Sequence, residues 1–281
     1  MVIRLQLPII HNDDFIENVV AERQGGRNAR YFEEIKEEWK QRVRDYQKNK
    51  GNPEVIKEWG RISGGDEKKF INLYSNPKGG STQQPVIRGL RSRTLQICPA
   101  CGEDGTPNTL DHYLPKDLFP EFAITAVNLS PMCDICQGKK LTQTVNVANE
   151  RIFLHPYYDE FMDTQVVVLE FDKPLETPPS FKLRPSPNLD AAQAALVSRH
   201  LNGVGVIWRY NRFFRDEYMR LLRLTYQIRQ SGQDIRVQLE IFREMASYKS
   251  VNSWQHVFYS GVIADDSLMD YLEAGKLPDF V

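Results

Sequence analysis

The four cysteines of this 281-residue chain constrain its fold more than any other feature of the sequence. They form two Cys-x-x-Cys pairs, Cys98 with Cys101 and Cys133 with Cys136, and 31 residues separate the pairs. Each pair can present two thiolates to one ion, and two such pairs complete a tetrahedral site that has no open position. We therefore expect a structural zinc ion, in preference to four unrelated buried cysteines or a redox Cys-x-x-Cys.

The composition is typical of a globular protein, with 41% apolar and 26% charged residues. No run of 18 apolar residues occurs, so we expect no membrane span and no membrane partner. Pro8 interrupts the apolar N-terminus, which lacks the small-residue cleavage site of a signal peptide. These features predict a cytoplasmic protein, in which paired cysteines bind metal and do not form disulfides.

Residues 1–94 are predicted to form a helical region. Its clearest helix carries apolar residues at spacings of three and four and ends at Gly51. Such a stripe normally packs within its own domain, and the alternative is a surface for a partner. The stripe consists of Phe32, Ile35, Trp39, Val43 and Tyr46. Further helices are expected at 12–24 (capped by Asn12 or Asp13), 52–60 and around 70–74, with a loop at 76–86.

Residues 161–281 are predicted to begin with a strand and to continue as helices. The segment TQVVVLEF is rich in β-branched residues, which favours a buried strand. A proline-rich loop follows at 173–188, with one edge strand at FKL. Helices are then expected at 190–203, 205–230, 234–248, 253–260 and 265–275.

The helix expected at 205–230 has an apolar face and a basic face. The apolar face consists of Ile207, Tyr210, Phe214, Tyr218, Leu221, Thr225 and Ile228. The basic stripe nearly opposite consists of Arg209, Arg212, Arg220 and Arg223. Nine lysines and arginines against three acids give residues 182–230 a net charge of +6, although the whole chain carries −1. The stripe predicts contacts with a nucleic-acid backbone, and the alternative is a solvated helix face.

Between the cysteine pairs lie residues suited to metal-assisted acid–base chemistry. Asp111 and His112 fall in LDHYLP, whose alternating pattern favours a strand. A second short strand or turn begins at Asn128-Leu129, and DICQGKK begins a helix. A carboxylate and a neighbouring imidazole can take separate roles in catalysis. The carboxylate can bind a hard divalent cation, and the imidazole can take a proton from water.

This central stretch resembles the cysteine-containing branch of the HNH nuclease family. That pattern runs C-x-x-C, Asp-His with a nearby Pro, Asn-Leu, and C-x-x-C-Asn-x-x-Lys. The matching residues, which span about a sixth of the chain, are Cys98, Cys101, Asp111, His112, Pro115, Asn128, Leu129, Cys133, Cys136 and Lys140. The resemblance implies a zinc-stapled ββα-metal fold at 95–160, within an α+β chain that is mostly helical.

The resemblance also implies roles for individual residues. Asp111 would be a ligand of a catalytic Mg²⁺ or Mn²⁺, and His112 would be the general base. Asn128 would brace the loop that presents the histidine. Gln137 stands where the pattern has Asn as a second metal ligand, and its carbonyl oxygen is one methylene further from the backbone.

The resemblance implies endonucleolytic hydrolysis of phosphodiester bonds in DNA, and RNA is not excluded as a substrate. Lys139 and Lys140 would then bind neighbouring phosphates, or would be solvated helix lysines. With an HNH unit between helical flanks, the chain is similar to nucleases of anti-phage defence systems. Such nucleases often work with an ATPase or sensor subunit, so this similarity implies a partner of that kind. The alternative is a catalytically weak or inactive zinc-stapled module that binds nucleic acid or protein.

Overall fold

A computed structural model describes residues 2–177 and 179–279, and Met1, Pro178, Phe280 and Val281 lie outside the described residues. Nearly half of the described chain is α-helical. The strands of this part of the chain pair into two antiparallel sheets of two strands each. The predicted α+β class is therefore confirmed, with helix in about half of the described residues, and the zinc-stapled ββα-metal core stays a prediction.

The chain divides into two compact units that are discontinuous in sequence. The N-terminal unit comprises Leu5–Leu95 and Thr106–Asp159. The C-terminal unit comprises Met1–Arg4, Gln96–Gly105 and Glu160–Val281. The three regions predicted from the sequence, 1–94, 95–160 and 161–281, stay a prediction.

The helices of the N-terminal unit pack through aromatic side chains. Phe32 and Trp39 of the second helix contact Phe70 of the third, with ring centroids 5.5 and 5.1 Å away. The indole Nε1 of Trp39 also donates to the Glu121 carbonyl at 2.8 Å, so the predicted stripe is internal and is not a partner surface. The helices are α1 (Asn12–Ala21), α2 (Ala29–Lys48), α3 (Glu67–Ser75), α4 (Gln83–Arg91) and α5 (Asp134–Lys140).

Three local predictions for this unit were wrong. Asn12 and Asp13 lie within α1, whose N-cap is His11. The segment 52–60 forms a single turn and then extends, because the bond from the Ile56 amide to the Asn52 carbonyl is not continued. The helix α4 begins inside the predicted loop, and its Pro85 lies in the first turn, where a backbone N–H has no helical partner.

A strand pair and the helix α5 form a small ββα arrangement in the N-terminal unit. Strand β1 (Thr109–His112) pairs antiparallel with β2 (Leu129–Met132), so that Asp111 faces Ser130 across the ladder. The first half of LDHYLP lies in β1, and the second strand or turn expected from Asn128-Leu129 is a strand that begins at Leu129. The helix expected at DICQGKK is confirmed. Leu141, with a left-handed φ of 48°, ends α5.

The C-terminal unit contains the second sheet and five helices in its described part. Both expected strands are present, and β3 (Val167–Phe171) pairs antiparallel with β4 (Phe181–Pro185). Asp190 is the N-cap of the helix that begins at Ala191 and forms a capping box with Gln193. The helices are α6 (Ala191–Gly203), α7 (Val206–Ser231), α8 (Ile235–Ser247), α9 (Trp254–Ala264) and α10 (Asp266–Ala274).

The apolar face predicted for α7 is buried from Tyr210 onward, whereas Ile207 is exposed. Helix α9 packs closely on β3, since a Cβ added at Gly261 would lie 2.8 Å from the Leu169 carbonyl oxygen. Among the described residues, no helix is both long enough and apolar enough to cross a membrane.

Candidate functional site

The four cysteine Sγ atoms converge on one point. All four, from Cys98, Cys101, Cys133 and Cys136, lie within 4.8 Å of one another. Zinc–sulfur bonds of about 2.3 Å in a tetrahedron would place sulfurs about 3.8 Å apart, so the spacing fits one ion. These residues, called the cysteine cluster below, could therefore hold a metal ion such as zinc.

Local backbone geometry orients each cysteine pair. In the Cys98–Cys101 turn, the Gly102 amide donates to the Cys98 carbonyl at 2.8 Å, and Gly102 has a left-handed φ of 70°. In the second pair, the Cys136 amide donates to the Cys133 sulfur at 3.4 Å, which makes Cys133 the N-cap of α5. A sulfur that accepts a backbone N–H is stabilised as a thiolate, the form that binds metal.

The imidazole of His112 is held in one orientation at the end of β1. Its Nε2 lies 3.0 Å from the Ala123 carbonyl oxygen, which can only accept, so Nε2 carries the proton and Nδ1 has the lone pair. The ring of Tyr74 packs edge-on against the imidazole, with centroids 4.4 Å apart. Burial, more than any other cause, lowers the pKa of His112 to about 3, and the positive charges of Lys116, Lys140 and Arg91 lower it further.

The carboxyl group of Asp111 lies beside a buried cation. Lys140, 1% exposed, places Nζ 3.0 Å from Asp111 Oδ2 and donates to the His112 carbonyl at 2.7 Å. The contact of the buried Oδ2 atom is this ion pair with Lys140. Burial raises the pKa of Asp111, whereas Lys140 and a hydrogen bond with the Gln137 side chain lower it.

This arrangement fits a divalent cation of the hard type. The Asp111 carboxylate is buried, and the Gln137 side chain donates a hydrogen bond to it through its amide N–H, so the Gln137 carbonyl oxygen would face an ion there only after the amide rotates. Mg²⁺ and Mn²⁺ prefer such oxygen ligands. Lys140 already contacts the same oxygen of Asp111, so an ion there would share the carboxylate with the ammonium or displace it.

Asn128 fastens the loop that joins β1 to β2. Its Oδ1 accepts from the Leu114 amide at 2.7 Å, and its Nδ2 donates to the carbonyls of Leu114 and Phe122 at 3.0 and 3.1 Å. The Tyr46 hydroxyl donates to the same Oδ1 at 3.0 Å. These bonds hold the loop that carries the Ala123 carbonyl, and the predicted role of Asn128 in presenting His112 stays a prediction.

Two of the predicted phosphate-binding residues are buried, and that prediction is wrong for both. Lys140 contacts Asp111 and the His112 carbonyl, so its ammonium faces inward. Arg209, 5% exposed, forms an ion pair with Glu103 and does not lie on an open basic stripe. Lys139 on α5, and Arg212, Arg220 and Arg223 on α7, are exposed, and their predicted contacts with nucleic acid stay a prediction.

Three residues at the site, Tyr74, Arg91 and His155, lie outside the set of site residues that the motif predicts. Tyr74 covers the imidazole, its hydroxyl donates to the Leu110 carbonyl at 3.1 Å, and Arg91 donates to that hydroxyl at 3.2 Å. His155 is buried, and its Nε2 lies 3.0 Å from the Tyr46 hydroxyl. Tyr74 could not be recognised from the sequence, because there it is one of the apolar residues of the helix expected around 70–74.

Comparison with known proteins adds one partial similarity. No family model matches the chain, and no solved structure matches it. Among curated proteins, the chain is similar to Protein ea31 of Escherichia phage lambda, with 36% identity over 63 residues. That stretch is 22% of this chain and 21% of the phage protein, so the chain matches about a fifth of the length of this relative.

Proposed function

We propose that this protein is an HNH-type endonuclease that hydrolyses phosphodiester bonds in DNA. The observation that carries the proposal is the orientation of His112 beside Asp111 on β1. Its Nε2 donates to the Ala123 carbonyl, which leaves the lone pair on Nδ1 for a water molecule. Asp111 supplies a buried carboxylate oxygen next to Gln137, which suits a divalent cation.

In the proposed reaction, Nδ1 of His112 removes a proton from water. The resulting hydroxide attacks the phosphorus, and the bond from phosphorus to the 3′ oxygen breaks, which leaves a 5′ phosphate and, after protonation, a 3′ hydroxyl. Asp111 and Gln137 would hold Mg²⁺ or Mn²⁺, which when bound stabilises negative charge on the phosphate and the leaving oxygen. Asn128 keeps the Ala123 carbonyl in place, so the imidazole keeps its orientation during the proton transfer.

The low pKa of His112 keeps the imidazole neutral before substrate binds, but a stronger base is needed during the reaction. A value of about 3 keeps the imidazole neutral at pH 7, with its lone pair available, but makes it a weak base. A phosphodiester beside the ring brings a negative charge, which raises the pKa of the imidazole. Substrate binding therefore strengthens the base at the moment when it is needed.

Two cations near His112 are suited to bind that phosphate. The charges of Lys116 and Arg91 both act on the imidazole, and both side chains reach solvent. Arg91 is positioned by its hydrogen bond to the Tyr74 hydroxyl and by the Tyr74 ring, whose centroid lies 5.5 Å from the guanidinium. Arg91 and Lys116 replace the buried Lys140 as the proposed phosphate contacts near the imidazole.

The cysteine cluster has a structural role in this proposal. A zinc ion with four thiolate ligands has no open position for water or substrate. It would fix the two cysteine turns and leave catalysis to Asp111 and His112. Zinc is thus the structural metal, and Mg²⁺ or Mn²⁺ is the catalytic one.

A specific observation favours the alternative of an inactive binding module. The ammonium of Lys140 contacts the carboxylate oxygen that the catalytic cation would need, and Gln137 replaces the Asn of the HNH pattern. In that alternative the exposed arginines of α7 bind nucleic acid without cleavage. A partner subunit of a phage-defence system also stays a proposal, and the exposed apolar side chains at the end of α8, Met245 and the adjacent Tyr248, are its best candidate surface.

Nicking of a supercoiled plasmid tests the proposed function. We expect the wild-type protein to nick DNA with Mg²⁺ or Mn²⁺ and not with EDTA at a concentration that leaves zinc bound. His112→Ala should lower the rate by about 10²-fold or more, because the general base is lost. His11→Ala is the matched control, since His11 is exposed and lies outside the site. Nicking that survives His112→Ala contradicts the mechanism, and DNA binding by the wild type without cleavage favours the alternative.

A further inference from the structure

Arg209 is a buried cation in the first turn of α7, within the C-terminal unit. Its Nη2 donates to the Val204 carbonyl at 3.2 Å, and its Nε donates to the Gly205 carbonyl at 3.4 Å. These bonds fix the guanidinium at the junction of α6 and α7. A buried guanidinium is costly unless anionic groups lie close to it.

Two groups that can carry negative charge meet at the remaining nitrogen of Arg209. Nη1 forms an ion pair with the Glu103 carboxylate and lies 3.6 Å from the Cys101 sulfur. The Cys101 sulfur is itself 4.0 Å from Glu103 Oε2. A thiolate and a carboxylate at that distance repel each other, and the guanidinium between them offsets the repulsion.

Other side chains of the C-terminal unit hold the same cysteine turn by its backbone. The Trp254 indole donates to the Cys101 carbonyl at 2.6 Å, and His200 Nε2 lies 2.6 Å from the Ala100 carbonyl. The guanidinium of Arg209 lies 5.9 Å from the centroid of the Trp254 ring. The turn is thus fixed in position by neutral donors, and Arg209 adds a positive charge at the sulfur.

Charge balance explains why a cation belongs at this place. A zinc ion bound by four thiolates carries a net charge of −2, and burial of such a centre is unfavourable without compensation. An N–H directed at a ligating sulfur withdraws charge from it and orients the ligand. We propose that Arg209 is a positioning residue of the cysteine cluster, whose guanidinium neutralises the Cys101 thiolate and thereby slows the loss of zinc. The inference rests on the structural zinc of the proposed function and not on the nuclease chemistry.

Zinc release from the full-length protein tests this inference. The probe is transfer of zinc to a chromogenic chelator under fixed conditions, which requires no nuclease activity. Arg209→Gln keeps hydrogen-bond donors and removes the charge, and we expect it to release zinc about tenfold faster than wild type. Arg209→Lys, which keeps the charge, should release zinc more slowly than Arg209→Gln. Arg212→Gln, an exposed neighbour on the same helix, should match the wild type.

The rates of zinc release from the wild type, Arg209→Gln and Arg209→Lys show whether the positive charge at position 209 matters. Equal release rates for wild type and Arg209→Gln, or for Arg209→Gln and Arg209→Lys, overturn the inference. If circular dichroism shows that Arg209→Gln does not fold, Glu103→Gln decides the question. Glu103→Gln removes the carboxylate charge near the Cys101 sulfur, so the Arg209 guanidinium then compensates only the Cys101 thiolate. Zinc release should therefore be unchanged or slower. Faster release from Glu103→Gln would mean that the ion pair only supports the fold, and it would overturn the inference.

Discussion

The cysteine cluster and the Asp111–His112 pair both place a buried cation beside an anionic group, but the two cations stand in different relations to the metal. Arg209 reaches the Cys101 sulfur from outside the cluster, where Nη1 lies 3.6 Å away. Lys140 contacts Oδ2 of Asp111 at 3.0 Å, the atom that a catalytic cation would need. In the proposed function, Arg209 would support a closed zinc site, whereas Lys140 would compete with the catalytic cation for Asp111.

A structural metal site and a catalytic metal site need neighbouring cations in different positions. A structural metal should stay bound, so a fixed compensating charge and four soft ligands suit it. A catalytic cation that arrives with substrate needs an oxygen ligand that is kept in place but can be shared. In the absence of that cation, Lys140 keeps the Asp111 carboxylate compensated in a buried position.

Zinc removal is the largest effect expected from the comparison. Stripping the cysteine cluster with a strong chelator should lower the free energy of unfolding by on the order of 5 kcal/mol, because a structural site contributes its binding free energy to folding. Omission of Mg²⁺ should change it by less than about 1 kcal/mol. Calorimetry of the holo, stripped and Cys133→Ser proteins checks this, and equal melting curves for all three would contradict a structural zinc.

Lys140→Met tests the second cation. The change leaves the Asp111 carboxylate buried beside an apolar chain, and we expect a loss of about 3 kcal/mol in the free energy of unfolding. Urea denaturation measures it. Lys139→Met is the matched control on the same helix, where exposure predicts a change within about 0.5 kcal/mol. Equal stability of the two variants would show that the Asp111–Lys140 contact contributes nothing.

These two cations also show what a sequence can and cannot predict. The cysteine spacing, the Asp-His pair and Asn128 follow motifs that act through neighbours in sequence, and helix periodicity predicted most elements within a few residues. Lys140 and Arg209 both occupy positions that look solvated on a helical wheel. Their burial depends on His112 and Glu103, which are 28 and 106 residues away in sequence, and no local pattern encodes such pairs.

Asn128→Ala tests whether the loop after β1 depends on a single side chain. The change removes four hydrogen bonds and leaves the Leu114 amide and carbonyl without their partner, so about 2–3 kcal/mol should be lost. Tyr46→Phe removes one of these bonds and the contact with His155 Nε2, and should cost about 1–2 kcal/mol. Urea titrations rank the two variants, and equal losses would contradict the dominant role given to Asn128.

The smallest effect concerns pH and the buried His155. Burial lowers its pKa well below the ordinary value of 6.5, so the unfolded chain binds a proton below that pH while the folded chain does not. The contribution of His155 to stability is therefore fully present above about pH 6.5 and falls by up to about 1.4 kcal/mol per pH unit on acidification. His155→Gln should reduce this slope, whereas His11→Gln should not. An unchanged slope in His155→Gln would show that other groups carry the acid sensitivity.

Location of a divalent cation tests the central claim most directly, because that claim separates the structural metal from the catalytic one. Crystals soaked in Mn²⁺ and measured at the manganese and zinc absorption edges would distinguish the two ions. We predict zinc at the four cysteine sulfurs, and manganese within about 2.5 Å of the Asp111 carboxylate, with Lys140 Nζ displaced or sharing that carboxylate. Manganese absent from Asp111, with Lys140 still in place at saturating Mn²⁺, would contradict the account.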